Sequence, residues 1–264
     1  MAIEIAGVQQ AAYETDGFFR VDGFADASVG RAMLDDVVAI VRANDRGEPV
    51  EHALVLPEAQ PGFTGEHPED LISKVFRLHR RPAFASFLRT DALLPIVTGI
   101  LGTGDVDCFL SQFIFKNPGA WGQPWHQDSF YFPFEPPRPV VGLWLAVTEA
   151  TLENGCLHIL PGSNAEPVHE HIPDRRPGAN YGYMEIVDHD MAGQVPVLMR
   201  RGDLLVFDSH LMHRSTDNES DGIRAAMVFH CAPASTLDRT EELRGYKSPV
   251  NDWVPLVRGG AFVD

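Results

Sequence analysis

The sequence predicts a mainly β protein with helices gathered at its N-terminal end, an α+β chain whose strands build a sandwich or jelly-roll barrel. Three observations carry that prediction. Apolar residues at helical spacings of three and four are confined to about the first 100 positions. After Gly104 the chain changes to short runs rich in Phe, Val, Ile and Trp. Turn residues separate those runs, notably Asn154-Gly155, Pro161-Gly162 and Arg201-Gly202-Asp203.

From residue 8 to 53 the pattern is helical with interruptions. Its clearest stretch, 28–43, repeats Val29, Met33, Val37, Ile40 and Val41 at spacings mostly of three and four, with Asp26 as a cap. Residues 54–70, rich in Pro, Gly and Glu, read as a loop. Residues 71–101 return to helical spacing, broken at Pro82 and Pro95 and closed by Gly102 and Gly104. Strands are expected at 108–116, 125–132, 140–147, 156–160, 197–199, 204–207 and 223–231. Asn154-Gly155 predicts a tight hairpin between the 140–147 and 156–160 runs. Residues 163–194 form a polar stretch too long for a plain connector, and such stretches serve as lids. The chain is therefore expected to be one domain, spanning 1–264. Within it, residues 1–104 are mainly helical, 105–235 form a barrel that carries the 163–194 insert, and 236–264 are an extension.

Composition narrows the function. With 264 residues, 44% of them hydrophobic, 22% charged, and 23 Gly and 20 Pro, the chain is neither disordered nor collagen-like. Its 37 acidic and 21 basic residues leave a net charge of −16, which repels nucleic acid and anionic membrane surfaces. The expected partner is a small-molecule substrate; oligomeric state is not legible. Cys108, Cys156 and Cys231 show no C-x-x-C spacing and read as buried thiols. Without a signal-peptide pattern at the start or a run of apolar residues long enough to span a bilayer, the expectation is a cytoplasmic protein. Gly102-Thr103-Gly104 lacks the third glycine of a dinucleotide loop, and Asp208-Ser209-His210 is contiguous and cannot form a triad on a strand.

The informative segment is Trp125-His126-Gln127-Asp128. On a strand, His126 and Asp128 share a face about 7 Å apart while Gln127 points away. A third ligand is supplied by His210 or His213, beyond the 204–207 run. Two imidazoles and a carboxylate cover one face of a metal and leave the other open, which suits iron(II); zinc and manganese accept the same donors. A zinc- or manganese-dependent hydrolase or isomerase, or a barrel without catalysis, therefore stays open at this level. Arg224 lies in an apolar run and shares an inward face with Ala226 and Val228, so it must meet an anion, and Ser215 can add a hydrogen bond. In 140–147, Trp144 lies between the small residues Gly142 and Ala146 and has room for a cavity on its face, whereas Val141, Leu143, Leu145 and Val147 face the core.

Together these residues resemble the phytanoyl-CoA dioxygenase family of iron(II)- and 2-oxoglutarate-dependent oxygenases. The resemblance runs from about Lys74 to Cys231. Its carriers are Trp125-His126-Gln127-Asp128 with the aromatic stretch Phe130, Tyr131, Phe132 and Phe134, Glu153-Asn154-Gly155-Cys156-Leu157 leading to Leu160-Pro161-Gly162-Ser163, and His213-Arg214-Ser215 followed by Arg224. The resemblance implies a double-stranded β-helix of the cupin type. It implies that His126, Asp128 and His213, rather than His210, bind iron. It also implies that Arg224 and Ser215 hold the distal carboxylate of 2-oxoglutarate, with Trp144 beside it and Lys74 and Gln112 as further contacts. It implies O2 as the oxidant, ascorbate as an accessory reductant, and release of succinate and CO2. Because Asp128 is retained, hydroxylation or a kindred oxidation is implied rather than halogenation. The aromatic stretch suggests an apolar or amphipathic substrate. An acyl-CoA would need a basic patch, for which only Arg175, Arg176 and His169 are locally at hand.

Overall fold

The computed structural model describes residues 7–58, 60–179 and 182–263. The reading of the first six residues as lacking a leader, and insert positions 180 and 181, lie outside them. Four helices precede the long strands: α1 (Gly7–Asp16), α2 (Ala27–Asp45), α3 (Pro82–Leu88) and α4 (Leu94–Leu101). Helix α2 starts as expected: the Asp26 side chain accepts a hydrogen bond from the Ser28 N–H, and Met33, Val37, Ile40 and Val41 are buried along one stripe. Pro82 and Pro95 lie in the first turns of α3 and α4, where a missing N–H costs nothing.

The principal strands are β1 (Phe18–Val21), β2 (Leu54–Pro57), β3 (Ile72–Phe76), β4 (Val106–Lys116), β5 (Val141–Ala146), β6 (Leu157–Ile159), β7 (Val195–Val197), β8 (Leu204–Asp208), β9 (His213–Ser215), β10 (Arg224–Pro233), β11 (Val254–Arg258) and β12 (Ala261–Phe262). Among the described residues, nine of them make one sheet in the order β1-β8-β5-β10-β4-β11-β12, with β3 also pairing β4 and β2 pairing β3. The other three form a small sheet, β7-β6-β9.

The large sheet buries both faces. On one, Val141, Leu143 and Leu145 of β5, Phe113 and Phe115 of β4, and Ala225, Met227 and Phe229 of β10 pack against α2, α3 and α4. On the other, Trp144, Ala146, Ala226, Val228, Leu205 and Phe207 pack with Ile159 and Val197 of the small sheet. The cavity described below opens on this second face.

Several expected elements are corrected. Residues 8–53 contain β1, 54–70 contain β2, and 71–101 contain β3, which places Lys74 on a strand and not a helix. All five β3 residues are buried, so no polar alternation marks the strand. The run 125–132 is not a strand: it holds one isolated bridge, His126 to His213, and a 3-10 turn over Asp128–Phe130. Its aromatic residues resemble strand sequence because they fill core pockets, Phe132 meeting Phe109 edge to face at 5.0 Å. Asn154 does make a turn, accepting from the Thr151 N–H, but the turn carries the chain from β5 in the large sheet to β6 in the small one, so there is no hairpin. The strand expected at 197–199 lies at Val195–Val197, with Met199 bridged to Ala150. The extension 236–264 supplies β11 and β12 to the large sheet.

Candidate metal and 2-oxoglutarate site

His126 and His213 are held by a reciprocal backbone pair, each N–H donating to the other's carbonyl at 3.0 Å. Their rings lie 4.2 Å apart. In each ring Nδ1 faces a carbonyl, that of Pro124 at 2.7 Å for His126 and that of Leu211 at 2.9 Å for His213. A carbonyl only accepts, so Nδ1 carries the proton and Nε2 keeps a free lone pair directed inward. Asp128 Oδ1 stands 3.5 Å from His126 Nε2 and 3.9 Å from His213 Nε2, and the three donor atoms all lie within 4.8 Å of one another. They have the two-histidine, one-carboxylate geometry of a non-heme iron(II) oxygenase.

The 3-10 turn is what brings Asp128 back onto His126. A regular strand would leave the two side chains parallel; here the backbone bends at Asp128, whose carbonyl accepts from the Tyr131 N–H at 2.9 Å. Burial pushes the His213 imidazole down to about 4, with His126 beside it adding to the effect, so the ring is neutral and ready to ligate at neutral pH. Burial alone would raise Asp128; the surrounding imidazoles, His213 first and then His230 with its hydrogen bond, outweigh it and hold the carboxyl well below the usual carboxylate range. His230 Nε2 lies 2.7 Å from Asp128 Oδ2 and leaves Oδ1 to face the histidines.

The cationic end is built on regular strands. Arg224 is 1% exposed, and among the described residues no carboxylate pairs with it. Its Nη2 donates to the Gly155 carbonyl at 3.1 Å, while Nε and Nη1 are buried without a partner. Burial pushes the guanidinium down to about 10. Directly across the β10–β4 ladder from Arg224 sits Lys116, also buried. Burial pushes Lys116 well below its ordinary value, and the neighbouring Arg224 pushes it further. Two like charges facing each other across a ladder, one of them missing hydrogen bonds, form a destabilising pair that an anion would relieve.

Ser215 is tied into this end. Its Oγ accepts from Lys116 Nζ at 2.7 Å and from the Gln123 N–H at 3.1 Å, which leaves its own O–H to donate elsewhere. Lys116 Nζ also donates to the Thr216 carbonyl. The close packing requires Gly122, where a Cβ would collide with the Ser215 carbonyl, and Gly155, whose φ of +81° also favours glycine.

A cavity of about 370 Å³ joins the two ends and is lined by His126, Asp128, His213, Arg224, Ser215, Trp144, Lys74 and Gln112. All eight residues singled out in the sequence thus meet at one place. Lys74 Nζ donates to Gln123 Oε1 at 3.2 Å and lies 4.7 Å from the centre of the Tyr183 ring. Trp144 stands 5.8 Å from the Arg224 guanidinium. His210 is outside the cluster, its Nδ1 facing the Glu166 carbonyl at 3.4 Å. Sequence reasoning missed Lys116 and His230, although strand alternation marked both: Lys116 follows Gln112 and Ile114 on one face, and His230 follows Arg224, Ala226 and Val228.

Comparison with known proteins defines first the class and then the family. The epimerase SnoN, solved in complex with Fe3+, alpha ketoglutarate and nogalamycin RO, superposes with a TM-score of 0.68 over 97% of this chain and 94% of that one, at 18% identity. The two chains accordingly share a mixed α/β fold. The phytanoyl-CoA dioxygenase family model matches residues 13–226, and the chain belongs to that family. Phytanoyl-CoA dioxygenase domain-containing protein 1 of Rattus norvegicus is 34% identical over 193 residues, covering 67% of this chain and 65% of that protein. The peroxisomal phytanoyl-CoA dioxygenase of Bos taurus is 38% identical over 114 residues, 42% of this chain and 34% of that enzyme. The chain spans less than two thirds of the length of these curated relatives.

The expected cytoplasmic location is corrected by the same comparison: the matched phytanoyl-CoA dioxygenases of Bos taurus, Rattus norvegicus, Mus musculus and Homo sapiens are peroxisomal proteins. No helix among the described residues is long and apolar enough to cross a membrane.

Proposed function

We propose that this chain is an iron(II)- and 2-oxoglutarate-dependent dioxygenase that hydroxylates, or otherwise oxidises, an apolar or amphipathic small molecule with release of succinate and CO2. The observation that carries the reading is the buried Arg224 guanidinium, lacking a carboxylate and facing the same cavity as the His126, Asp128 and His213 donors. Metal-dependent hydrolysis needs no 2-oxoglutarate anchor, whereas a dianion that must reach both a metal and a cation fits this pairing.

In this reading His126, Asp128 and His213 hold the iron, and Arg224 with the Ser215 hydroxyl receives the distal carboxylate. Lys116 adds positive charge beneath that carboxylate, Trp144 walls it, and Lys74 and Gln112 border the same space. Iron(II) with 2-oxoglutarate supplies the oxidising power by coupling loss of CO2 to activation of O2. The chain's own work is positioning: it keeps Nε2 of both histidines deprotonated, turns Oδ1 of Asp128 toward them, and offers unmet N–H groups at a fixed site.

The substrate side is apolar. Leu54, Leu56, Phe76, Tyr131, Phe132 and Val250 line the rest of the cavity. Arg175 pairs with Glu185 and Arg176 with Asp174, so these cations are already neutralised and do not form a free patch for coenzyme A. The insert borders the opening, with Tyr183 against Lys74 and the Met184 N–H donating to the Tyr131 hydroxyl at 3.0 Å, which supports a covering role that excludes water. The packing of the large sheet on the small one supports a double-stranded β-helix barrel within one domain over 1–264, helices outside and the 163–194 insert above.

The test is anaerobic addition of iron(II) and 2-oxoglutarate, expected to give a weak visible charge-transfer band, followed by air, expected to give succinate. Bound metal with neither result overturns the reading. Replacing Arg224 with Ala should raise the half-saturating 2-oxoglutarate concentration about 100-fold, the loss of a bidentate charge-assisted contact, while iron stoichiometry holds.

A further inference from the structure

A second cluster of metal-binding side chains lies in the insert, apart from the cavity. Glu166, His169 and His189 present donor atoms that all lie within 4.8 Å of one another. Both imidazoles aim Nε2 at the same oxygen, Glu166 Oε2, at 2.8 Å for His169 and 3.1 Å for His189. Their rings stand 5.1 Å apart and nearly perpendicular, at 82°. None of the three contributes to the oxygenase reading.

We propose that Glu166, His169 and His189 form a second site for a zinc-like divalent ion, with water as the fourth ligand, that clasps the two limbs of the insert. With metal–ligand bonds near 2.0 Å, the edge of a tetrahedron is about 3.3 Å. The two separations from Glu166 Oε2 need to widen by only a few tenths of an ångström to meet that edge. Imidazole and carboxylate are donors zinc accepts. Two of the ligands stand on anchored backbone: Arg138 donates to the Glu166 carbonyl at 3.2 Å, and the His169 N–H donates to Gln127 Oε1 at 2.8 Å. His189 arrives from the far limb, 20 residues after His169. The three side chains remain partly accessible, at 37%, 25% and 19% exposure for Glu166, His169 and His189, so an ion can enter and a water can complete its shell.

The experiment uses the full chain stripped of metal and titrated with Zn(II) against a chromophoric chelator. Two equivalents are expected for the wild type, one for His126→Ala, one for His189→Ala and none for the double variant. In the His126→Ala background, Zn(II) should raise the melting temperature, and Glu166→Gln should weaken that equivalent at least about 100-fold. Because Glu166→Gln keeps a hydrogen-bonding side chain, an unchanged melt of the metal-free variant separates loss of a ligand from loss of fold. One equivalent in the wild type, retained in His189→Ala and absent in His126→Ala, overturns the second site and leaves the oxygenase reading intact. The converse, one equivalent lost only with His189→Ala, supports the second site and overturns the first.

Discussion

At one end of the cavity the candidate ligands come from an isolated bridge, a 3-10 turn and the first residue of β9; at the other, Arg224 and Lys116 face each other across the β10–β4 ladder. At the irregular end each candidate ligand is satisfied, His126 and His213 Nδ1 meeting carbonyls and Asp128 meeting His230, although Nδ1 of His230 behind them is buried without a partner. At the regular end two nitrogens of Arg224 have no partner. The contrast separates two ways of preparing a site. Where backbone is irregular, outer hydrogen bonds must fix the orientation of each ligand. Where the ladder fixes position, charge can be left unmet until a ligand arrives, at a cost in stability.

The largest effect is expected at the irregular end. Asp128→Ala removes the only carboxylate of the triad and should cut activity more than about 1,000-fold with loss of tight iron binding, measured by succinate release and metal analysis. Retention of stoichiometric iron by this variant would mean that the carboxylate is not a ligand. Next comes His230→Phe, which frees Oδ2 to rotate; iron affinity should fall about 10- to 100-fold, as for other groups behind a metal ligand. If affinity is unchanged, the 2.7 Å bond to Asp128 does not position the carboxylate.

At the regular end, Lys116→Met should raise the 2-oxoglutarate requirement about 10-fold and yet raise the melting temperature of the ligand-free protein, because it removes a buried cation opposite Arg224. A lower melting temperature would show that the bonds of Lys116 to Ser215 and Thr216 outweigh the repulsion. The smallest effect concerns pH. Burial, the largest cause in each case, pushes His79, His171 and His213 down to about 4. The unfolded chain takes up these protons first, so the stabilisation is complete above about pH 6.5 and is lost as pH falls toward 4. Melts of metal-free protein across that window should decline by several degrees, and His79→Gln should flatten some of the slope.

Legibility in the sequence followed backbone regularity. Helix α2, the two faces of β5 and the inward placement of Arg224 could be read because period and burial agree there. Strand β3 could not, since burial on both faces erases the alternation. The 125–132 run had strand composition and yet folded into a bridge and a turn, because its rings are used to fill core pockets rather than to line a ladder. His126, Asp128 and His213 meet in spite of that error, and the turn brings the first two closer than a strand would have.

Gln127 lies between two of the candidate ligands and points the other way. Its side chain donates to the carbonyls of Pro167 and His210 and accepts from the His169 N–H, and its own N–H donates to His171 Nε2. The start of the insert and the turn that carries Asp128 are therefore latched into one mechanical unit. Displacing residues 167–171 from the sheet would therefore load the same stretch of backbone that carries His126 and Asp128.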